Sequence, residues 1–293
     1  MEKELCGVIL VNKHKGVTSH DIVFKIRRLF GTKKVGHTGT LDPLATGVLP
    51  VLIGRAAKAA EYLLCEDKKY VAEIKLGITT DTEDITGKIL SKTDTLPTKN
   101  QFFDACNHFV GDIFQTPPMY SALKVNGEKL VDLARKGIEV ERQARQIKIF
   151  SIIPSVINEN EGLYKLEVHC SKGTYIRTLC ADVGAYLGCG ATMTELTRTQ
   201  SGTFKIENSY TIDGLEKMSI EERHGLLMPT ESLFEDAMPV TLPDFYARLC
   251  RSGCEIYQKK INTCFAENEF VRIYDKTAFS PLVRLNHIPT AVQ

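Results

Sequence analysis

The stretch VGHTGTLDPLATGVLPVLIGRAAK, residues 35–58, constrains this chain more than any other segment. It holds four glycines, two prolines and a single carboxylate, Asp42. Pro43 biases Asp42 away from helical backbone, and glycines at 36, 39 and 47 let the chain take positive φ or come close to a bound partner. The pattern predicts a rigid loop presenting one isolated acid. An Asp before Pro is also a common turn former, so this pattern alone admits a purely structural reading. The continuation, ATGVLPVLIGRAAKAAEYLL, reads as a short buried turn followed by a helix that Gly54 begins.

Around this segment the periodicities change along the chain. GVILVNKHKG reads as a strand closed by a turn, and TSHDIVFKIRRLFG as a helix capped by Thr18 or Ser19, with Ile22, Val23, Ile26, Leu29 and Phe30 on one face. KYVAEIKLG alternates like a half-buried strand, followed by the Thr/Asp-rich loop that carries Asp81, Glu83 and Asp84. QIKIFSIIPSVI and GLYKLEVHCSKG form a predicted hairpin about NENEG; TYIRTLCADVGAYLG is predicted helical, and ATMTELTRTQSGTFKI returns to strand. The fold class expected is α+β, a mixed, mainly antiparallel sheet with flanking helices. Prolines 229, 239 and 243 mark a change of pattern, and 293 residues suit two domains. The expected division is 1–229 for a catalytic domain and 230–293 for a small β-rich one.

Composition narrows the function classes. With 43% hydrophobic and 25% charged residues the chain has an ordinary globular make-up. No apolar run reaches membrane-spanning length, and the acidic start MEKELCGVIL does not read as a signal peptide, so a cytoplasmic protein is expected. Nine cysteines make no disulfide framework in a chain this long; Cys250, Cys254 and Cys264 lack a fourth neighbour, so small buried hydrophobes are expected rather than a metal site. Nucleotide-cradle, metalloprotease and serine-nucleophile motifs are missing, and neither metal nor organic cofactor is expected. The net charge of +1 conceals a basic run, Lys25, Arg27, Arg28, Lys33 and Lys34, with no acid between Ile22 and Leu41. Lys33, Lys34 and His37 therefore stand beside the Asp42 loop as candidates for phosphate or base contacts. SKGTYIRT places Tyr175 and Arg177 at the mouth of a helix, and Arg177 is a natural partner to keep Asp42 ionised, as a nucleophile must be.

Five strings, GVILVNKHKGVTSHDIV, KKVGHTGTLDPLATGVLPVLIGRAAK, KKYVAEIKLGITTDTEDITG, QTPPMYSALKVNGEKLVDLARKG and SKGTYIRTLCADVG, together resemble the bacterial tRNA pseudouridine-55 synthases of the TruB family. The resemblance spans about residues 7–205 in the family's order. It implies a pseudouridine synthase fold that isomerises one uridine in the T loop of tRNA without metal or cofactor. The N-glycosidic bond breaks, the uracil turns while held, and C5 joins the ribose C1′. Whether the acid attacks C1′ or the base is left open. Asp42 is then the nucleophile, Arg177 its pairing arginine, and Tyr70 the ring that stacks on the uracil near C5. His37 stacks on or replaces extruded bases, Leu196 forms an apolar pocket floor, and Asp84 is an acid associated with the active-site tyrosine. Tyr175 and Lys58 match pattern positions. Lys124, Lys129, Arg135 and Lys136 supply a basic segment for phosphates, and the C-terminal segment is expected to be a PUA-like RNA-binding domain.

Two rival readings differ in class. A tRNA-binding folding chaperone would use the basic face and His37 without essential chemistry. A glycoside-type hydrolase would need a second flanking carboxylate, which residues 35–58 do not offer. The expectation adopted is a stand-alone, monomeric tRNA enzyme binding the T stem-loop.

Overall fold

The computed structural model describes residues 5–60, 67–234, 237–252, 254, 270–274 and 279–284. The chain divides into two compact units, residues 1–227 and 228–293.

In the first unit, among the described residues, nine strands form one sheet. These are β1 (Gly7–Lys13), β2 (Val35–His37), β3 (Thr46–Ile53), β4 (Lys68–Leu76), then β7 (Gly111–Gln115), β10 (Arg145–Asn158), β11 (Leu163–Cys170), β12 (Ala191–Ser201) and β13 (Phe204–Lys205). The small ladders β5 (Ile78–Thr80) with β6 (Ile89–Lys92), and β8 (Lys124–Val125) with β9 (Glu128–Lys129), stand apart from it. The order is β1-β3-β12-β4-β11-β10-β7, with β2 on β3 and β13 on β12. Every pairing is antiparallel except the short parallel contact of Thr197 and Arg198 with Thr46 and Gly47. The mixed, mainly antiparallel α+β architecture is the one expected.

Alternation explains the central strands. In β4, Tyr70, Ala72, Ile74 and Leu76 are buried while Lys69 is exposed, and β10 with β11 forms the predicted hairpin. Helix α1 (Ser19–Leu29) starts at Thr18, whose hydroxyl accepts from the Asp21 amide while the Asp21 carboxylate accepts from the Thr18 amide. Helix α2 (Lys99–His108) was not foreseen; its Phe102 stacks on Tyr164 with ring centroids 4.1 Å apart, and the short helix α3 (Leu130–Arg135) follows it in the chain.

Residues 46–53 correct the sequence reading. They form the eight-residue strand β3 rather than a turn, paired with β1 and buried from Gly47 onward. A strand covered on both faces shows no alternation, and Pro50 disguised it further. The carbonyl of Pro50 accepts from the Thr38 amide, and its ring takes the place of a donor the ladder does without. The turn Gly54–Ala59 that follows is a short 3₁₀ helix.

In the second unit, β14 (Met238–Thr241) runs parallel to β15 (Phe270–Tyr274), which pairs antiparallel with β16 (Phe279–Arg284). The helix Asp244–Arg251 contributes Ala247 to a small core with Val240, Leu242, Val271 and Ile273. The described cysteines are free thiols. Burial pushes Cys106 and Cys170 up to about 12 and Cys180 upward as well, as expected of thiols that pack rather than react. Cys65 and Cys264 lie outside the described residues.

Candidate active site

The register of β4 against β12 sets the floor of the site. Tyr70 lies opposite Arg198 and Ala72 opposite Leu196, so side chains two apart on each strand share one face. Lys68, Tyr70, Leu196 and Arg198 line a cavity of about 330 Å³. The loop Gly39–Asp42, the segment Ser121–Leu123, and Gly173–Arg177 at the start of helix α4 (Ile176–Tyr186) complete its walls.

Arg177, in the first turn of α4, is 3% exposed and gathers three separate parts of the chain. Its Nη1 donates to the Thr82 carbonyl at 2.9 Å and its Nη2 to the Tyr120 carbonyl at 2.8 Å. Its Nε lies 2.8 Å from Asp42 Oδ2, but the N–H is directed off that line. The pair is an ionic contact rather than an aligned hydrogen bond, which leaves the carboxylate lone pairs open toward the cavity. Arg177 serves a second acid as well: Asp84 Oδ2 stands 3.7 Å from Nη1. Asp84 is buried, and its Oδ1 accepts from the Thr82 hydroxyl and from the Thr86 amide and hydroxyl. That set of donors holds the second carboxylate on its own side of the guanidinium, leaving Asp42 the exposed one.

Two devices fix these groups. Helix α4 begins at Tyr175 without a side-chain cap of its own. The buried amide of Gln115 replaces it, accepting from the Tyr175 N–H at 2.8 Å and donating to the Tyr175 carbonyl at 3.0 Å. The Asp42 loop is tied down by the buried Ser19 hydroxyl, which accepts from the Leu41 N–H and donates to the Leu41 carbonyl. Lys13, fully buried, donates to the carbonyls of Val17 at 2.7 Å and Pro43 at 3.4 Å. Burial lowers its pKa to about 8, with the Asp42 charge acting in the opposite direction.

Of the residues singled out from the sequence, Asp42, Tyr70, Tyr175, Arg177 and Leu196 line the cavity, and Asp84 backs Arg177. His37 ends β2 outside the lining, half-buried with Nδ1 lacking a partner, and burial lowers its pKa. Lys33, Lys34 and Lys58 are exposed and do not line the cavity. Burial raises the pKa of Tyr70 and Tyr175. The sequence reading missed Gln115, Lys13 and Arg198. Arg198 had a signal: two positions from Leu196 in a strand, it shares that residue's face.

Comparisons with known proteins bear on the fold and the family. A chain in the crystal structure of a Cbf5-Nop10-Gar1 complex matches with a TM-score of 0.72 at 28% identity, over 96% of this chain and 78% of that one. A chain in the structure of an H/ACA RNP bound to a substrate RNA containing 2′-deoxyuridine matches at 0.70 and 26%, over 97% and 79%. The family model for the N-terminal domain of TruB family pseudouridylate synthases matches residues 27–176, and that for the tRNA pseudouridylate synthase B C-terminal domain matches 177–235. The fold is thus that of a pseudouridylate synthase. The tRNA pseudouridine synthase B of Clostridium tetani is 42% identical over 93% of both chains, and that of Francisella philomiragia is 43% identical over 94% of this chain and 89% of its own. The chain belongs to the TruB family.

Proposed function

We propose that this protein is a tRNA pseudouridine synthase that converts the uridine at position 55 of the T loop, with Asp42 as nucleophile. The observation that carries this reading is the carboxylate of Asp42, held 2.8 Å from a buried guanidinium at the wall of a nucleoside-sized cavity. A uridine stacked in its loop is out of reach of such a cavity, so the base must be extruded into it. Asp42 then attacks C1′ or the uracil ring, the bond from N1 to C1′ breaks, and the base turns within the cavity. C5 bonds to C1′, the bond to Asp42 breaks and frees its carboxylate, and the proton that C5 loses is balanced by the one N1 gains. Tyr70 is assigned to stack on the ring and Leu196 to floor it, and both line the cavity with Tyr175 and Arg177. The role of Arg177 is to hold the Asp42 carboxylate in place by ionic contact.

His37 with Lys33, Lys34 and Lys58 is assigned to the surrounding RNA surface, where phosphate contacts give affinity and the loop's shape gives choice. Residues 230–293 are assigned as a small RNA-binding domain, and the enzyme as a cytoplasmic one acting alone. The test is an unmodified tRNA transcript carrying tritium at C5 of its uridines. The protein is expected to release tritium equivalent to one uridine per tRNA, in the presence of a chelator, with pseudouridine mapped to the T loop. Release of free uracil, or modification only outside the T loop, would contradict the reading.

A further inference from the structure

Arg198 is the largest fully buried side chain described, and among the described residues no carboxylate lies within ion-pairing distance of it. A buried cation without an acid is costly unless other groups satisfy it. Its partners tie strand β3 to the candidate active site. Nε donates to the Val48 carbonyl at 2.8 Å and Nη2 to the Gly39 carbonyl at 3.1 Å, on either side of Asp42. Tyr70, directly opposite Arg198 across the β4–β12 ladder, lines the same cavity, and burial raises its pKa while the nearby guanidinium draws it down. Backbone register supports the placement: Arg198 lies opposite Tyr70 on one side and opposite Gly47 on the other. The approach to β3 is close, since a Cβ on Gly47 would fall 2.2 Å from the Arg198 carbonyl oxygen.

We infer that Arg198 is a positioning residue that fixes the Tyr70 phenol relative to the Asp42 loop. A planar guanidinium is rigid, so its separate N–H groups set the spacing between the groups they hold. One edge of the fork holds Gly39 and Val48, on either side of the nucleophile, and the guanidinium on the neighbouring strand orients the phenol toward the base. Its charge reaches further as well, lowering the pKa of both His37 and Lys13. This inference rests on the proposed roles of Asp42 and Tyr70.

The test uses the whole protein and unmodified tRNA transcript under single-turnover conditions. Arg198→Met is expected to lower the rate of pseudouridine formation by about 30-fold, the size of a lost buried charged hydrogen bond. tRNA affinity should stay within about threefold. Arg198→Lys, which keeps the charge but not the fork, should fall between the two and carry the same experiment if the Met variant does not fold. Combining either variant with Tyr70→Phe should cost clearly less than the product of the separate losses, because the two side chains act as one unit. With deuterium at C5 of uridine, the isotope effect should rise in the Arg198 variants, which misalignment of Tyr70 produces and general loosening of the fold does not. Rates within about threefold of wild type, strict multiplicativity with Tyr70→Phe, or an unchanged isotope effect would overturn the inference. A wild-type chain that makes no pseudouridine removes the proposed function along with it; an active wild type with indifferent Arg198 variants removes this inference alone.

Discussion

At the scale of single residues, the site consists of polar groups that backbone carbonyls hold in place. Lys13 gives a prediction whose sign follows from its surroundings. Its pKa falls from 10.5 to about 8 in the folded protein, so the unfolded chain binds that proton more tightly. Folding therefore carries the full cost below pH 8, about 3 kcal/mol, and sheds it as pH rises toward 10.5. Between pH 7.5 and 9.5 the unfolding free energy measured in urea should rise by about 2 kcal/mol relative to a Lys13→Met variant. A difference that stays constant across that range would show Lys13 to hold its proton like a surface lysine. Residues of this kind leave little trace in a sequence. Asp42 was legible because it is alone among glycines and prolines, and Tyr70 and Leu196 because they fall within a family string. Lys13 and Gln115 satisfy distant main-chain groups, and no local spacing announces such a partner.

At the scale of elements, two joints connect the sheet to the site. The first is the Gln115 amide on Tyr175, which caps α4 and thereby sets the start of the helix that carries Arg177. Gln115→Met leaves the Tyr175 N–H unpaired, its carbonyl still accepting from the Leu179 amide, and should cost about 1–3 kcal/mol in urea unfolding and lower single-turnover activity more than tRNA affinity. Gln115→Glu keeps one of the two bonds and should lie between. The second joint is Gly47, at φ +107°, where β3 crosses close to β12. Gly47→Ala drives a methyl into the Arg198 carbonyl and should destabilise by about 3 kcal/mol or more. A neutral result in the same unfolding experiment would mean the strands part without penalty. These elements were unequally legible. The β10–β11 hairpin and β4 follow alternation because one face is wetter than the other, and α4 follows its apolar spacing. Strand β3 has no wet face, so its pattern is a plain apolar run interrupted by Gly and Pro.

At the scale of the molecule, the two units have separate cores. The first unit's core runs from Ile9 to Leu215, with Leu226 and Leu227 packed at its margin, and the second has Val240, Leu242, Ala247, Val271 and Ile273. A fragment ending at Leu227 should therefore fold with its own cooperative transition. If residues 230–293 bind RNA as proposed, that fragment should hold tRNA about tenfold more weakly while turning over bound tRNA at a rate close to the whole chain's. Loss of the cooperative transition, or unchanged affinity, would contradict one half of that expectation each. No described helix is long and apolar enough to cross a membrane. The whole account rests on the chemistry of Asp42. Its most direct test is the single-turnover rate and tRNA affinity of Asp42→Asn, which keeps the side chain's size while removing its charge. The predicted result is binding within about threefold of wild type with pseudouridine formation reduced by at least about 10⁴-fold. Turnover near the wild-type rate with the neutral side chain would contradict it.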